Sequence, residues 1–332
     1  MRIAVDMLGG DHAPHELILG VSQAILDGFS PDELLLVGPE DLITDGLRSH
    51  GVETIPAIVH TEVAIASSES PIEGMKSKPD ASILKCVAAV KSGDAQGIVA
   101  FGNTGATVAS ATLGLRMIPG ARRPAIAVNM LGDSGRFVLL DAGANPTPKP
   151  AHMLQQAVMG AALARDVLKI ENPRIGLLNI GGEAAKGNAL LKESYSLLDG
   201  APINFIGNIE GNEIFFGKAD VVVADGFSGN TVLKVMEGFS EYLSHQAHAH
   251  SQAEGEDFKG TLRKLLGAAD YTEVGGAILL GVNGTVLIGH GRSKAKTVLP
   301  ALRQVRLEIS SGVDKHIEES FRELAAASQS PS

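Results

Sequence analysis

Five times in this chain an apolar run ends in a loop of Gly, Asn, Asp and Ser or Thr, and each loop leads into a helical pattern. RIAVD leads to MLGGDH (residues 7–12), and QGIVA leads to FGNTGA (101–106). RFVLL is followed by DAGAN (141–145), RIGLL by NIGGE (179–183), and ADVVVA by DGFSGN (225–230). Short runs rich in Val and Ile read as buried strands. Strands alternating with helices imply βαβ units in a parallel sheet. In such sheets ligands bind outside the carboxyl ends of the strands, where all five loops lie. Glycine lets backbone approach a ligand closely, and a helix N-terminus offers unbonded N–H groups to an anion. The pattern predicts an α/β protein whose site is built from strand-end loops suited to phosphate.

At 332 residues the chain can bury a large core. It has no Trp and is only 4% aromatic, so packing must rest on Ala, Val, Ile, Leu and close glycine contacts. The net charge of −10 argues against a nucleic-acid partner, which needs a basic face. One cysteine, Cys86, forbids an internal disulfide and fits a reducing compartment. It lies in a helical pattern, SILKCVAAV, and is expected in the core rather than as a nucleophile. No signal peptide and no run long enough to span a membrane is visible, so a cytoplasmic location is expected.

No internal repeat and no separating linker appears. The expectation is a single bilobed α/β domain over residues 1–323, with a disordered tail at 324–332. PAIAVNM and RFVLLD read as an adjoining strand pair, joined by a turn at residues 132–135. Helices are predicted over residues 81–91, 106–116, 152–168, 231–250 and, as one final helix, 294–325. In the stretch 231–250, Val232, Val235, Met236, Phe239 and Leu243 form an amphipathic stripe. Residues 251–260 break the pattern, and a short helical piece follows at 261–267.

The GNTGA loop is neither a GxGxxG fingerprint nor a P-loop, yet its mechanics are similar. Gly102 and Gly105 free the backbone while Asn103 and Thr104 add side-chain donors. Lys186, beside Gly187 and Asn188, can bring a mobile positive charge to a phosphate or a developing oxyanion. A solvated surface lysine is the plainer alternative. Asp141 and Asp225 end strands, a place that suits catalysis and equally suits a turn-stabilising Asx bond. With Ser228, Asp225 opens the DGFSGN loop, where Asn230 is either a site donor or a helix N-cap. His12 and His290 are histidine candidates for the cleft. His245, His248 and His250 cluster without convincing ligand spacing, so no metal is predicted, and no GxSxG or HExxH occurs.

Taken together, these motifs resemble one family closely. MRIAVDMLGGDHAP, SILKCV, GNTGAT, RRPAIA, LLDAGAN, PRIGLLNIGGEAAKGN, NFIGNIEG, ADVVVADGFSGNTVLK, GGAILLGVNG and GHG run in the order of the bacterial phosphate acyltransferases. The resemblance implies a three-layer α/β/α sandwich similar to isocitrate and isopropylmalate dehydrogenases and to phosphotransacetylase, in a homodimer. It implies transfer of an acyl group from acyl carrier protein to inorganic phosphate for phospholipid biosynthesis, with no cofactor. A membrane glycerol-3-phosphate acyltransferase would consume the product, and loose membrane association goes with that. Lys186 and Asn230 match the positions expected to be catalytic, and Asn103, Thr104, Asp141 and Asn145 match site-lining positions. An acidic carrier would dock on a basic patch, for which Arg116, Arg122 and Arg123 are candidates, backed by Arg292, Lys294 and Lys296.

Several features depart from the family pattern. Phe101 precedes GNTG where small residues are usual, and Arg292 follows GHG where Ser is more frequent. The segment 244–271 resembles the family's protruding tip but offers only Phe258, Leu262, Leu265 and Leu266 as apolar anchors, so attachment to membrane through it is not expected. Two alternatives stay open at this point. One is a nicotinamide-dependent dehydrogenase of the same fold, and the other a non-catalytic module that binds carrier protein.

Overall fold

The structure, a computed structural model, describes residues 1–254 and 275–327, with side chains of the first span described through Ala247. The chain divides into two compact units, Met1–Pro124 with Gly275–Phe321 and Ala125–Val274 with Arg322–Ser332.

In unit one the strands are β1 (Ile3–Asp6), β2 (Leu34–Gly38), β3 (Ala57–His60), β4 (Gly97–Ala100), β10 (Ala277–Leu280) and β11 (Thr285–Ile288). They run in the order β3-β2-β1-β4-β11-β10. Every pairing is parallel except the β10–β11 hairpin. All residues of β1, β2 and β4 are buried, as strands covered on both faces must be, whereas the edge strand β3 is partly exposed. Helices α1 (His15–Leu26) and α2 (Glu40–Ser49) follow the first two strands. Helices α3 (Pro71–Ser77), α4 (Ser82–Ser92) and α5 (Thr104–Gly114) come next in the chain. Helix α5 begins two residues before its expected start.

In unit two the order is β5 (Ala125–Gly132), β6 (Gly135–Leu140), β9 (Val221–Val223), β7 (Ile175–Asn179) and β8 (Phe205–Glu210). β5 and β6 form the expected antiparallel hairpin, and β6, β9, β7 and β8 are parallel. Alternation along the strands sorts side chains to two faces. Leu140 and Val221 reach Gly160 of α6 (Pro150–Asp166), which packs with α7 (Ala189–Asp199). Phe137, Leu139, Val222 and Ala224 build the opposite core, against Val232 of α8 (Gly226–Glu254). Helices thus cover both faces of this sheet, in α/β/α layers.

Three expectations are corrected. Helix α8 begins at Gly226, five residues before its expected start, and runs through Glu254, so residues 251–254 continue it. The final helix is two, α9 (Ala295–Ser311) and α10 (Val313–Ala327), separated by Gly312 in the left-handed region with φ 71°. Residues 324–327 of the expected tail are helical. The helical piece at 261–267 and the tip's four apolar anchors lie outside the described residues.

Candidate functional site

The five strand-end loops fall into two groups. In unit one, the loops after β1, β4 and β11 are locked together. Asp6, only 4% exposed at the end of β1, accepts the Leu8 N–H at 3.1 Å and is hydrogen-bonded by Ser82. Burial pushes its carboxyl above the ordinary value, against those hydrogen bonds. A Cβ on Gly9 would lie 2.8 Å from the Gly102 nitrogen, so only glycine admits this approach. Asp11 N–H donates to the Gly291 carbonyl at 2.8 Å, and Gly289 N–H to Ala100 at 2.8 Å.

These loops, with Ser67 from the segment before α3, line an open pocket of about 340 Å³ formed by Asp11, Ser67, Gly102, Asn103, Thr104, Gly105, His290, Gly291 and Arg292. It lies at the N-terminus of α5, where the first N–H groups have no intrahelical partner. Asn103 is the helix cap: its Oδ1 accepts from Ala106 at 3.0 Å, and its Nδ2 donates to the Ala66 and Glu69 carbonyls, each at 3.0 Å. The side-chain donor expected of Asn103 is therefore already used within the protein. His290 Nδ1 accepts from the Arg292 N–H at 3.1 Å, which places the hydrogen of a neutral ring on Nε2.

Of the first loop it is Asp11, not the expected His12, that lines the pocket. Sequence reasoning passed over Asp11 and Ser67, although Asp11 stood beside His12 in the Gly-Gly-Asp-His loop. Phe101 is 1% exposed and lies across Gly289, where a Cβ would collide with its ring, so it sits under the loops rather than at their mouth. Cys86 is buried, and burial, reinforced by the nearby Asp6 carboxyl, holds its thiol well above the usual range. It is a core residue, as expected.

In unit two the loops are organised by acceptors already filled. Asp141, fully buried, takes five hydrogen bonds: Ile126, Gly143 and Ala144 N–H on Oδ1, and Asn145 N–H and Nδ2 on Oδ2, all within 3.1 Å. Its carboxylate holds the DAGAN loop. Asp225 accepts from Phe227 N–H at 3.0 Å, Ser228 N–H at 2.9 Å and Ser228 Oγ at 2.7 Å. Asp225 thus caps α8, so Asn230 is inside the helix and not its N-cap. Asn230 is exposed and packs near Gly143, whose Cβ position lies 3.6 Å from its Oδ1. A Cβ on Gly229 would collide with the Asp141 carbonyl oxygen, which explains glycine inside a helical turn.

The Lys186 loop is held by two buried amides that sequence reasoning did not single out. Asn179 Nδ2 donates to the Lys186 carbonyl at 3.2 Å, and Asn208 Nδ2 to the Glu183 carbonyl at 2.8 Å. Lys186 is exposed, and its side chain has no ion pair among the described residues. Asn188 caps α7, accepting from Leu191 N–H at 3.0 Å. Arg116, Arg122 and Arg123 are exposed, as are Lys294 and Lys296 at the start of α9. Among the described residues no group of three or more His, Cys, Asp or Glu side chains is placed to hold a metal ion.

The fold and its strand-end loops define a layered α/β protein in which helix starts and glycine turns form the working surface. A family model described as "Fatty acid synthesis protein" matches residues 1–316. The chain is 44% identical over 310 residues to the phosphate acyltransferase of Desulforudis audaxviator, covering 91% of each chain. It is 44% identical over 331 residues to that of Heliobacterium modesticaldum, covering 96% of this chain and 97% of the relative. A phosphotransacetylase from Streptococcus pyogenes shares the fold with a TM-score of 0.63 at 19% identity, covering 96% of this chain and 94% of that one. The chain belongs to the phosphate acyltransferase family, and it is an enzyme of the transferase class.

Proposed function

We propose that this enzyme transfers the acyl group of an acyl-carrier-protein thioester to inorganic phosphate. The pocket at the start of α5 carries the reading, because helix N–H groups, the Thr104 hydroxyl, His290 and Arg292 all offer donors to one oxyanion. A phosphate oxygen attacks the thioester carbonyl, a C–O bond forms, and the C–S bond breaks. The hydrogen of hydrogen phosphate ends on the released carrier thiol. The thiolate leaves readily, so neither a covalent enzyme intermediate nor a cofactor is required.

In unit two, Lys186 and Asn230 are assigned to the charge that develops on the carbonyl oxygen. Gly143 and Ser228 shape the backbone around Asn230. Ile180 and Phe227 are 81% and 70% exposed on the same loops, which suits the acyl chain. Arg116, Arg122 and Arg123 are assigned to carrier docking. The product would feed a membrane glycerol-3-phosphate acyltransferase in phospholipid synthesis, from a cytoplasmic homodimer.

Mass spectrometry of the product from palmitoyl carrier protein, with and without inorganic phosphate, tests the reading. Phosphate-dependent palmitoyl phosphate is expected. Free palmitate alone, or no release of carrier thiol, would remove it.

A further inference from the structure

We propose that the Asp11 carboxylate makes the pocket of unit one select an oxyanion that still carries a hydrogen, admitting monohydrogen phosphate and rejecting sulfate. The inference rests on the reading of that pocket as the phosphate site. Asp11 is the acidic member of a lining that otherwise offers donors: Thr104, His290, Arg292 and the first N–H groups of α5. Its backbone is fixed by the 2.8 Å bond to Gly291, and both carboxylate oxygens lie 3.8 Å from the Gly291 Cβ position, beside the GHG loop. Among the described residues the carboxylate has neither hydrogen bond nor ion pair. Arg292, which lines the same pocket, makes no ion pair with it among the described residues.

A carboxylate accepts hydrogen bonds and donates none. Set against a fully deprotonated tetrahedral anion it repels, by an amount that solvent moderates at the exposed position of Asp11. Set against an anion that bears a hydrogen, it forms a short charge-assisted O–H···O bond instead. Phosphate retains a hydrogen near neutral pH and sulfate does not, although the two share charge, size and shape. One carboxylate among donors therefore separates them by repelling the wrong ligand, a general route to specificity. The same contact orients the phosphate, because the oxygen bearing the hydrogen must face Asp11 and an unprotonated oxygen is left to attack.

The test is calorimetric titration of the full chain with phosphate, arsenate, sulfate and selenate at neutral pH. It compares the native protein with Asp11→Asn, Asp11→Ala and Thr104→Val. Phosphate and arsenate, which keep a hydrogen, should bind the native protein at least about tenfold tighter than sulfate and selenate, the worth of one charge-assisted hydrogen bond. Either Asp11 substitution should bring the four anions close together, chiefly by admitting sulfate and selenate. Thr104→Val should weaken all four alike. A phosphate preference that survives both Asp11 substitutions overturns the inference and leaves the phosphate pocket standing. Phosphate that binds no variant, the native protein included, overturns the pocket's assignment and the inference with it.

Discussion

The two loop groups of this enzyme use similar residues to opposite ends. In unit two, Asp141 and Asp225 receive eight hydrogen bonds between them, and their loops are closed structures. In unit one, Asp11 and Arg292 line one pocket and their side chains meet no partner among the described residues. A filled acceptor is scaffold: it fixes the backbone and leaves nothing for a ligand. An exposed, unfilled one keeps its bonding capacity until a ligand arrives. Exposure is part of the criterion, since buried unfilled groups mark strain instead.

The largest effect should come from opening the closed loop. Asp141→Ala orphans buried N–H donors and is expected to cost ~3–5 kcal/mol of stability, on the scale of breaking a buried charged network. Asp11→Asn should stay within about 0.5 kcal/mol, as surface changes do. Urea unfolding followed by circular dichroism measures both. Equal destabilisation by the two would end the distinction between scaffold and ligand groups.

Next in size are changes in unit two that should leave the fold alone. Lys186→Ala is expected to lower kcat by roughly 100- to 1,000-fold, as loss of an oxyanion donor does, with the unfolding curve unchanged. Asn230→Asp should also lower kcat and leave helix stability intact, because Asp225 is the cap. Near-native turnover in both variants would leave unit two with scaffold alone.

Strand ends were legible because an apolar run stops where the chain meets a Gly and Asn cluster; β4, residues 97–100, ends where the run QGIVA ends. The start of α8 was not legible. DGFSGN looks like loop by composition, yet its glycines are demanded by contact: Gly226 lies against Asn145 and Gly229 against Asp141. Low helix propensity was overridden by tertiary packing and by the Asp225 cap. The break at Gly312 was hidden because the apolar pattern resumes with Val313, Ile317 and Phe321, all buried. For the site, the loops were readable and the partners were not. That Asp141 is filled and Asp11 unfilled depends on which N–H groups converge, and a single sequence does not carry that.

Unit one offers a control for the comparison, since it also holds under-partnered carboxyls far from ligand chemistry. Glu308 is 3% exposed, and burial holds its carboxyl well above the ordinary value, opposed by Gln304 and reinforced by Asp314. Asp314 is half-buried, and burial pushes it up to about 6 against a hydrogen bond from Gly284. Between 3.8 and about 6 the folded protein therefore binds a proton that the unfolded chain has lost. Stability from this group is present below that window and lost as pH rises through it, by up to ~3 kcal/mol. Asp314→Asn should flatten the profile between pH ~4 and ~7 and exceed the native protein in stability at pH ~7. Parallel profiles would show that the acid cluster carries no such strain.

The smallest effect concerns the surface beyond the pocket. Arg116, Arg122 and Arg123 are exposed on the segment that leaves α5, so this face of unit one is the proposed meeting place for an acidic carrier. Charges at an interface rim mainly speed encounter and are screened by salt. Reversing Arg122 and Arg123 to Glu should raise KM for acyl carrier protein about three- to tenfold, the scale of two rim charges. The KM for phosphate should not move, because neither arginine lines the pocket. Added salt should raise the native KM for carrier and narrow the gap between the two proteins. A rise in both KM values would mean that the substitutions reach the pocket itself. No change in either would move carrier docking away from this face of unit one.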